Sequence, residues 1–395
     1  MSTTFSTTSQ GEKNLPELVN ELRGLFEDPE FKAVSDIKAA TGKPVVGHFP
    51  VYSPVELFYA AGVHPVGVVG AGNQIEIVHA DSRFQSFVCS VIKSTLELGF
   101  TEHLRQFEGM VFHSICDPAR NLASVFKRNF PGQWVEYIHF PQNMFTDGSV
   151  DYLESEYRRI VDRLRELSGK TVTNDDVNGA IALYNRSRAL MRDLYEFRRL
   201  HPDLLTTREL YTLVRAGYIM TVEDHILLLE QAKELVKDKV PMTRDHIKVV
   251  LAGSFCEQPP LDLVFAIEEA GLDVLDDDFL LGRRWFTEDL PTDGDGIRTL
   301  AHAYRDLSVI SAVKHDSRRN KGQELVERVR NFGADAVVIS VAKFCEPGLF
   351  DYAVYRKALL EAGIPHLFVE FEEKMWLFDK IQTEVETFVE SLLLD

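Results

Sequence analysis

Four cysteines are the residues of this 395-residue chain with the most distinctive chemistry: Cys89, Cys116, Cys256 and Cys345. Thiolates are soft ligands that suit zinc and iron–sulfur clusters. The wide spacing gives no C-x-x-C pair, and so neither a zinc-finger nor a ferredoxin motif. A free cysteine is also often a buried, inert core residue. The two interpretations are about equally supported for Cys116 and Cys345, whereas Cys89 alone fits a core residue better.

Three of these cysteines share a local setting between the end of an apolar strand and the start of a helix. Cys116 lies in Cys-Asp-Pro, Cys256 in Cys-Glu-Gln-Pro-Pro and Cys345 in Cys-Glu-Pro. Ligand sites in open α/β sheets gather at the carboxyl ends of strands, and a helix start stabilises a thiolate. Two sheets facing each other across a cleft would bring Cys116 and Cys345 together. Cys89 is predicted inside a helix over 83–98, on one face with Ile92 and Leu96.

Alternating strand and helix patterns predict an α/β fold with two open, mostly parallel-sheet domains of the flavodoxin or Rossmann type. The first α/β domain covers 43–148 and the second covers 246–395. Residues 149–245 form a charged helical segment with almost no strand signal, and 1–42 form an N-terminal helical segment. A site for the cysteines is expected in the cleft between the two α/β domains.

Composition and missing motifs exclude several classes of protein. The net charge of −18 argues against nucleic acid as a partner and against docking on an anionic membrane. Residues 1–11 lack the apolar core of a signal peptide, and no apolar stretch reaches the roughly 18 residues of a membrane helix. A cytoplasmic protein without disulfides is therefore expected. Neither a G-x-x-x-x-G-K-[ST] phosphate loop nor a G-x-S-x-G elbow occurs, so nucleotide hydrolysis and Ser–His–Asp hydrolysis are not predicted.

Glu56 is the candidate residue for proton transfer. It follows Ser53-Pro54-Val55 in the first turn of a predicted helix, where a carboxylate is favourable beside the free N–H groups of the helix start. In a cleft, burial would raise the pKa of Glu56 and suit it to act as a proton donor or base. Both interpretations stay open from the residues alone.

From Pro44 to its end, the chain resembles the 2-hydroxyacyl-CoA dehydratase and benzoyl-CoA reductase family. Four ordered segments carry the resemblance: 44–70, an opening strand–helix–strand; 112–122, FHSICDPARNL; 253–286, with an Asp-Asp-x-x-x-Gly-x-Arg stretch; and 342–368, which begins AKFCEP. Within the family, the segments look most similar to the smaller cluster-bearing C (gamma) subunit of an ATP-dependent benzoyl-CoA reductase. The last motif has Glu346 where Asp is commoner, a change that keeps the charge at the helix start.

The resemblance implies a [4Fe–4S] cluster held by Cys89, Cys116 and Cys345. Cys256 lies outside the family pattern and is kept as a further candidate ligand because of its place after a strand. The implied reaction is a two-electron, dearomatising reduction of benzoyl-CoA to a cyclic dienoyl-CoA, in which the thioester carbonyl spreads the charge of a ketyl-like radical anion. Glu56 matches a family glutamate of the acyl pocket, which supports the proton-transfer interpretation.

The resemblance also implies partners and alternatives. The partners are a homologous cluster-bearing sister subunit, ATP-driven activator subunits with their own cluster, ferredoxin as upstream donor and an acyl-CoA substrate. The absence of a nucleotide motif agrees with the use of ATP by separate activator subunits. One alternative is a subunit of an (R)-2-hydroxyacyl-CoA dehydratase, which recycles the electron and eliminates water. Another is a non-catalytic iron–sulfur electron-transfer protein, and a structural zinc protein is disfavoured because close cysteine pairs are missing.

Overall fold

A computed structural model describes residues 13–50, 52–237, 239–241, 244–253, 257–279, 287–309, 311, 314, 316–372, 375 and 377–394. Within these residues, eight strands form two four-stranded sheets in which every strand pair is parallel. The predicted α/β class with two parallel-sheet units is therefore confirmed.

The first sheet is built from short, buried strands in the order β2-β1-β3-β4. Its strands are β1 (Val45–His48), β2 (His64–Gly67), β3 (Gly109–His113) and β4 (Trp134–Ile138). The helices that follow its strands are α3 (Val55–Ala60), α4 (Ser90–Phe100) and α5 (Asp117–Asn129). Strands β1 and β3 are buried along their whole length, as expected for central parallel strands covered on both faces.

The second sheet repeats the same order of neighbours, β6-β5-β7-β8. Its strands are β5 (Ile247–Gly253), β6 (Leu272–Asp277), β7 (Ala336–Ala342) and β8 (His366–Phe371). The helices of this half are α10 (Leu261–Glu269), α11 (Gly296–Asp306), α12 (Lys321–Phe332), α13 (Glu346–Ala362) and α14 (Asp379–Leu394). Strand β7 reads Ala-Val-Val-Ile-Ser-Val-Ala and is buried at every position, which is typical of a parallel strand in the middle of a sheet.

The remaining helices pack with the first sheet. They are α1 (Leu15–Phe26), α2 (Lys32–Thr41), α6 (Ser149–Ser168), α7 (Asn174–Leu200), α8 (Thr207–Ala216) and α9 (Val222–Lys237). Leu153, Ile181 and Leu213 of the middle helices belong to one apolar core with the first sheet, and so does Leu300 of α11. The second sheet has a separate, smaller core. None of the helices in the described ranges is long and apolar enough to span a bilayer.

The N-terminal helical segment contains two helices, and the helix predicted over 83–98 was wrong at its start. The N-terminal pattern gives two helices, because Phe31 turns the chain in a left-handed conformation (φ 50°) before α2. The helix predicted over 83–98 begins only at Ser90. Glu97 of α4 accepts the N–H groups of Val78, His79 and Ala80, so the preceding chain is held as a loop against the helix and does not extend it.

Candidate functional site: three cysteines at helix starts

Three helices of the two sheets each begin directly after a cysteine. Cys89 precedes α4, Cys116 precedes α5 and Cys345 precedes α13, each as the N-cap residue. The prediction that Cys116 and Cys345 lie between a strand and a helix is confirmed, since β3 and β7 end just before them. Cys89 was wrongly predicted inside a helix: it is the N-cap residue, directly before the first turn of α4.

The Cys89 thiol lies within electrostatic range of Cys116 and Cys345. Burial raises the pKa of the Cys89 thiol well above its usual range, and the charges of Glu257, Cys116 and Cys345 raise it further. Burial also raises the pKa of Cys116, where a smaller contribution comes from Glu346, the neighbour of Cys345. Cys345 belongs to the second sheet and the other two thiols to the first, so the fold gathers cysteines from both halves of the chain.

N–H groups at the helix starts oppose the rise in the pKa of the Cys89 and Cys116 thiols. The N–H of Ile92 lowers the pKa of Cys89 and that of Ala119 lowers the pKa of Cys116, each from the third residue of its helix. Buried thiols with raised pKa values stay protonated until a positive group replaces the protons, because thiolates are the form that binds metal. The donor set therefore fits a cationic, thiophilic group held at the helix starts.

The described side chains around the three cysteines do not add up to a compact site for a single ion. Within the described ranges, no three His, Cys, Asp or Glu side chains are grouped closely enough to hold one metal ion. Gly348 packs next to Cys345, and a Cβ at that position would lie 3.3 Å from the Cys345 sulfur.

The backbone before Cys345 is strained. Phe344 has φ 63°, in the left-handed region that side chains with a Cβ rarely adopt. The turn directs the chain from β7 into α13, and the N–H of Cys345 donates to the carbonyl of Ala342 at 3.0 Å. Strain of this kind persists where the surrounding fold requires one particular geometry, and it clusters at functional sites.

A cavity of about 630 Å³ opens at the carboxyl ends of β5 and β6 and reaches Gly348 beside Cys345. Its wall includes Gly253, which has φ 99° and where an added Cβ would overlap the Ser340 carbonyl, so no other residue fits. The cations of its wall are paired with carboxylates: Arg328 with Asp278, Lys321 with Asp351 and Arg319 with Glu324. The cavity therefore suits an uncharged, partly apolar group better than a phosphate.

Sequence reasoning missed most of this cavity. Asp277 and Asp278 stood out as part of an Asp-Asp-x-x-x-Gly-x-Arg stretch, but their partners did not. Arg198 of α7 forms a buried ion pair with Asp277 at 2.7 Å, and Arg328 of α12 binds Asp278 at 2.7 Å. Both arginines come from distant helices, and only their positions on amphipathic helices could have indicated an inward role.

Glu56 lies apart from this cavity. It is fully buried in the first turn of α3 and forms an ion pair with Arg188 of α7 at 2.5 Å. Its charge also acts on the buried Tyr157 and the partly buried Tyr184. The wall of the 630 Å³ cavity does not include it. A role for Glu56 in proton transfer stays a prediction, as does a role for Cys256, which lies outside the described residues.

Known proteins are similar to this chain over nearly its whole length. Residues 50–392 match a family described as 2-hydroxyglutaryl-CoA dehydratase, D-component. The chain is 33% identical over 380 residues to the C subunit of benzoyl-CoA reductase from Thauera aromatica, covering 96% of this chain and 98% of that protein. It is 27% identical to the (R)-phenyllactyl-CoA dehydratase beta subunit of Clostridium sporogenes, covering 96% and 100%. It is 29% identical to the beta subunit of lactoyl-CoA dehydratase from Anaerotignum propionicum, covering 95% and 98%.

Proposed function

The chain belongs to the 2-hydroxyglutaryl-CoA dehydratase D-component family, and from this premise we propose that it is the [4Fe–4S] subunit of an ATP-dependent benzoyl-CoA reductase. Its relatives are subunits of enzyme complexes that act on acyl-CoA thioesters. The observation that supports the proposal is that Cys89, Cys116 and Cys345 each stand at a helix start, with Cys116 and Cys345 near enough to act electrostatically on Cys89. The 33% identity to a benzoyl-CoA reductase subunit favours that enzyme over the dehydratases.

Cys89, Cys116 and Cys345 would hold the cluster. When bound, it supplies single electrons at low potential for the two-electron, dearomatising reduction of benzoyl-CoA to a cyclic dienoyl-CoA. Side chains shield Cys89 and Cys345 from water, since both are buried, and they cover Cys116 in part. The N–H groups at the starts of α4 and α5 lie where they stabilise thiolate charge.

The 630 Å³ cavity is the proposed place for the acyl end of the thioester. It adjoins Cys345 through Gly348, and the cations of its wall are already paired with carboxylates. An aromatic acyl group could enter without separating those ion pairs. The phosphates of the CoA portion would then lie outside this cavity.

We keep Glu56 as a candidate for proton transfer. Its carboxylate is buried against Arg188, so a change to Gln removes the charge with little change in volume. A Glu56→Gln enzyme that folds, as judged by circular dichroism, and loses turnover would support the role. Unimpaired turnover in that variant would remove it.

The expected partners follow from the same proposal. Leu349, Phe350, Val354 and Leu360, the α13 apolar face, are exposed on the helix that begins at Cys345. Such a face beside the cysteines suits a homologous sister subunit, and the relatives are named as subunits. ATP-driven activator subunits with their own cluster, supplied by ferredoxin in the cytoplasm, would deliver the electrons.

A reductase assay tests the function. The chain is purified without oxygen together with its sister subunit and activator, and it receives benzoyl-CoA, ATP and a low-potential reductant. Two electrons consumed for each benzoyl-CoA lost support the proposal. Benzoyl-CoA left unchanged by a complex that contains iron would reject it.

The second candidate is a subunit of an (R)-2-hydroxyacyl-CoA dehydratase. The name of the matching family and the dehydratase relatives favour it. In that case the complex would convert an (R)-2-hydroxyacyl-CoA into an enoyl-CoA with only a catalytic amount of reductant. The ratio of reductant to product therefore separates the two candidates in one set of assays.

A further inference from the structure

A carboxylate of the second half of the chain caps the helix that carries Cys89. The Ser90 hydroxyl donates to Glu257 Oε1 at 2.6 Å, and the N–H of Val91 donates to Glu257 Oε2 at 2.9 Å. Glu257 is only 2% exposed and follows strand β5 of the second sheet. Ser90 and Val91 are the first two residues of α4. The contact therefore joins two parts of the chain that are 166 residues apart.

Helix α4 depends on this contact for its first turn. The N-cap residue Cys89 makes no side-chain capping hydrogen bond, and a thiol is a weak acceptor in any case. A helix start leaves N–H groups without partners and carries partial positive charge. Glu257 supplies an acceptor for one N–H and a negative charge at that end, and burial strengthens both effects because little water competes.

The same carboxylate lies close to Cys89. The hydroxyl and the N–H that donate to it belong to Ser90 and Val91, the two residues that directly follow Cys89 in the chain. Cys89 belongs to the first apolar core together with α4. Cys345 belongs to the second apolar core together with β7. The separation of these two ligands therefore depends on contacts between the halves, and the Glu257 contact lies at the residue next to Cys89.

We propose that Glu257 is a positioning residue for the cluster: it fixes Cys89 relative to Cys345 and places a buried negative charge beside the cluster, which lowers its reduction potential. The proposal rests on the proposed function, because it requires Cys89 to be a cluster ligand. Residues that orient the metal ligands without binding the metal themselves commonly set the metal affinity and the reduction potential.

The test compares Glu257→Gln, Glu257→Ala and Asp262→Asn in the full complex purified without oxygen. Asp262 is the control, because it is a carboxylate of the same segment that also bridges to a distant helix, binding Arg23 of α1 at 2.7 Å. Its charged neighbours are Arg23 and Arg208. Three readouts are used: iron per complex, the rate of cluster loss to a chelator, and the midpoint potential from an EPR-monitored titration.

Glu257→Gln keeps one acceptor and removes the charge, so it should retain iron and shift the potential of this chain's cluster upward. Glu257→Ala removes both contacts and should lose its cluster to chelator roughly 10-fold faster or more. Asp262→Asn should match the wild type in all three readouts.

Two results would overturn the proposal while the proposed function stands. One is a wild-type potential in Glu257→Gln together with a wild-type rate of cluster loss in Glu257→Ala. The other is an equal change in Asp262→Asn, which would make Glu257 an ordinary contact between the halves. Wild-type complex without iron would instead reject the proposed function itself, and the proposal with it.

Discussion

Helices α5 and α13 begin in the same way and then differ. Each follows a parallel strand, has a cysteine at the N-cap and continues with an acidic residue and a proline, Asp117-Pro118 or Glu346-Pro347. Helix α5 buries Ala119, Leu122, Ala123 and Phe126, whereas α13 buries Leu359 alone. The two helix starts are therefore alike, while the outer faces of the helices differ: α5 is a core helix, and α13 leaves an apolar face exposed.

The largest difference should appear in stability. Phe126→Ala on α5 removes a fully buried ring that lies 4.6 Å from Phe130 and 5.4 Å from Phe112, centroid to centroid. The free energy of unfolding should fall by about 3–5 kcal/mol. Phe350→Ala on α13 removes a ring that is 75% exposed, and the change should stay within about 0.5 kcal/mol. Urea unfolding of the two variants measures both, and equal losses would contradict the comparison.

The second difference should appear in association. Phe350→Asp places a charge in the α13 apolar face, which is exposed in the isolated chain. If the sister subunit covers that face, the dissociation constant should rise by about 30-fold or more, a loss of about 2 kcal/mol. Calorimetric titration of the sister subunit measures it, with Phe265→Asp on α10 as a control at another exposed ring. Unchanged affinity in Phe350→Asp would place the partner elsewhere.

Acid should weaken the first core selectively. Burial lowers the pKa of His48 and His113 to about 3 and of His64 and His225 to about 4, and all four lie on elements that pack around the first sheet. An unfolded histidine has a pKa near 6.5, so below that pH the unfolded state binds the extra protons. The stabilising contribution is therefore present above pH 6.5 and is lost as the pH falls toward the folded-state values.

The variant His113→Phe, at the end of β3, tests this pH dependence of the free energy of unfolding. The variant keeps an aromatic ring at the buried end of β3, where His113 packs against Phe140 at 5.5 Å, and it cannot titrate. Between pH 6 and 4.5, the unfolding free energy of the variant should depend on pH less steeply, by about one proton or 1.4 kcal/mol per pH unit. Parallel curves for wild type and variant would show that His113 does not contribute.

The smallest effect concerns the residue before each cysteine. Phe344, before Cys345, has φ 63°, whereas Ile115, before Cys116, is a buried residue without a positive φ. Phe344→Gly relieves a left-handed strain of about 1–2 kcal/mol but gives the unfolded chain more freedom. The net change in unfolding free energy should be a gain of about 1 kcal/mol or less. A clear loss in urea unfolding would mean that the Phe344 ring contributes more than its backbone strain takes away.

The starts of α4, α5 and α13 also show which parts of the site could be predicted from the sequence. The strand–Cys–Pro–helix order at Cys116 and Cys345 is local, so the residues predicted both junctions correctly. The setting of Cys89 is not local, because Glu97 holds the preceding loop and Glu257 caps α4 from the other half of the chain. The same holds for Arg198 and Arg328, whose carboxylate partners are 79 and 50 residues away. Patterns within a short window cannot report contacts of that range.

The central claim is that Cys89, Cys116 and Cys345 hold one [4Fe–4S] cluster. Its most direct test is iron and sulfide analysis with EPR of the full chain, purified without oxygen, as wild type and as four Cys→Ser variants. The account predicts about four irons per chain, lost on changing Cys89, Cys116 or Cys345 and kept on changing Cys256. Zinc in place of iron, no metal at all, or a cluster that survives the change of Cys89, Cys116 or Cys345 would contradict it.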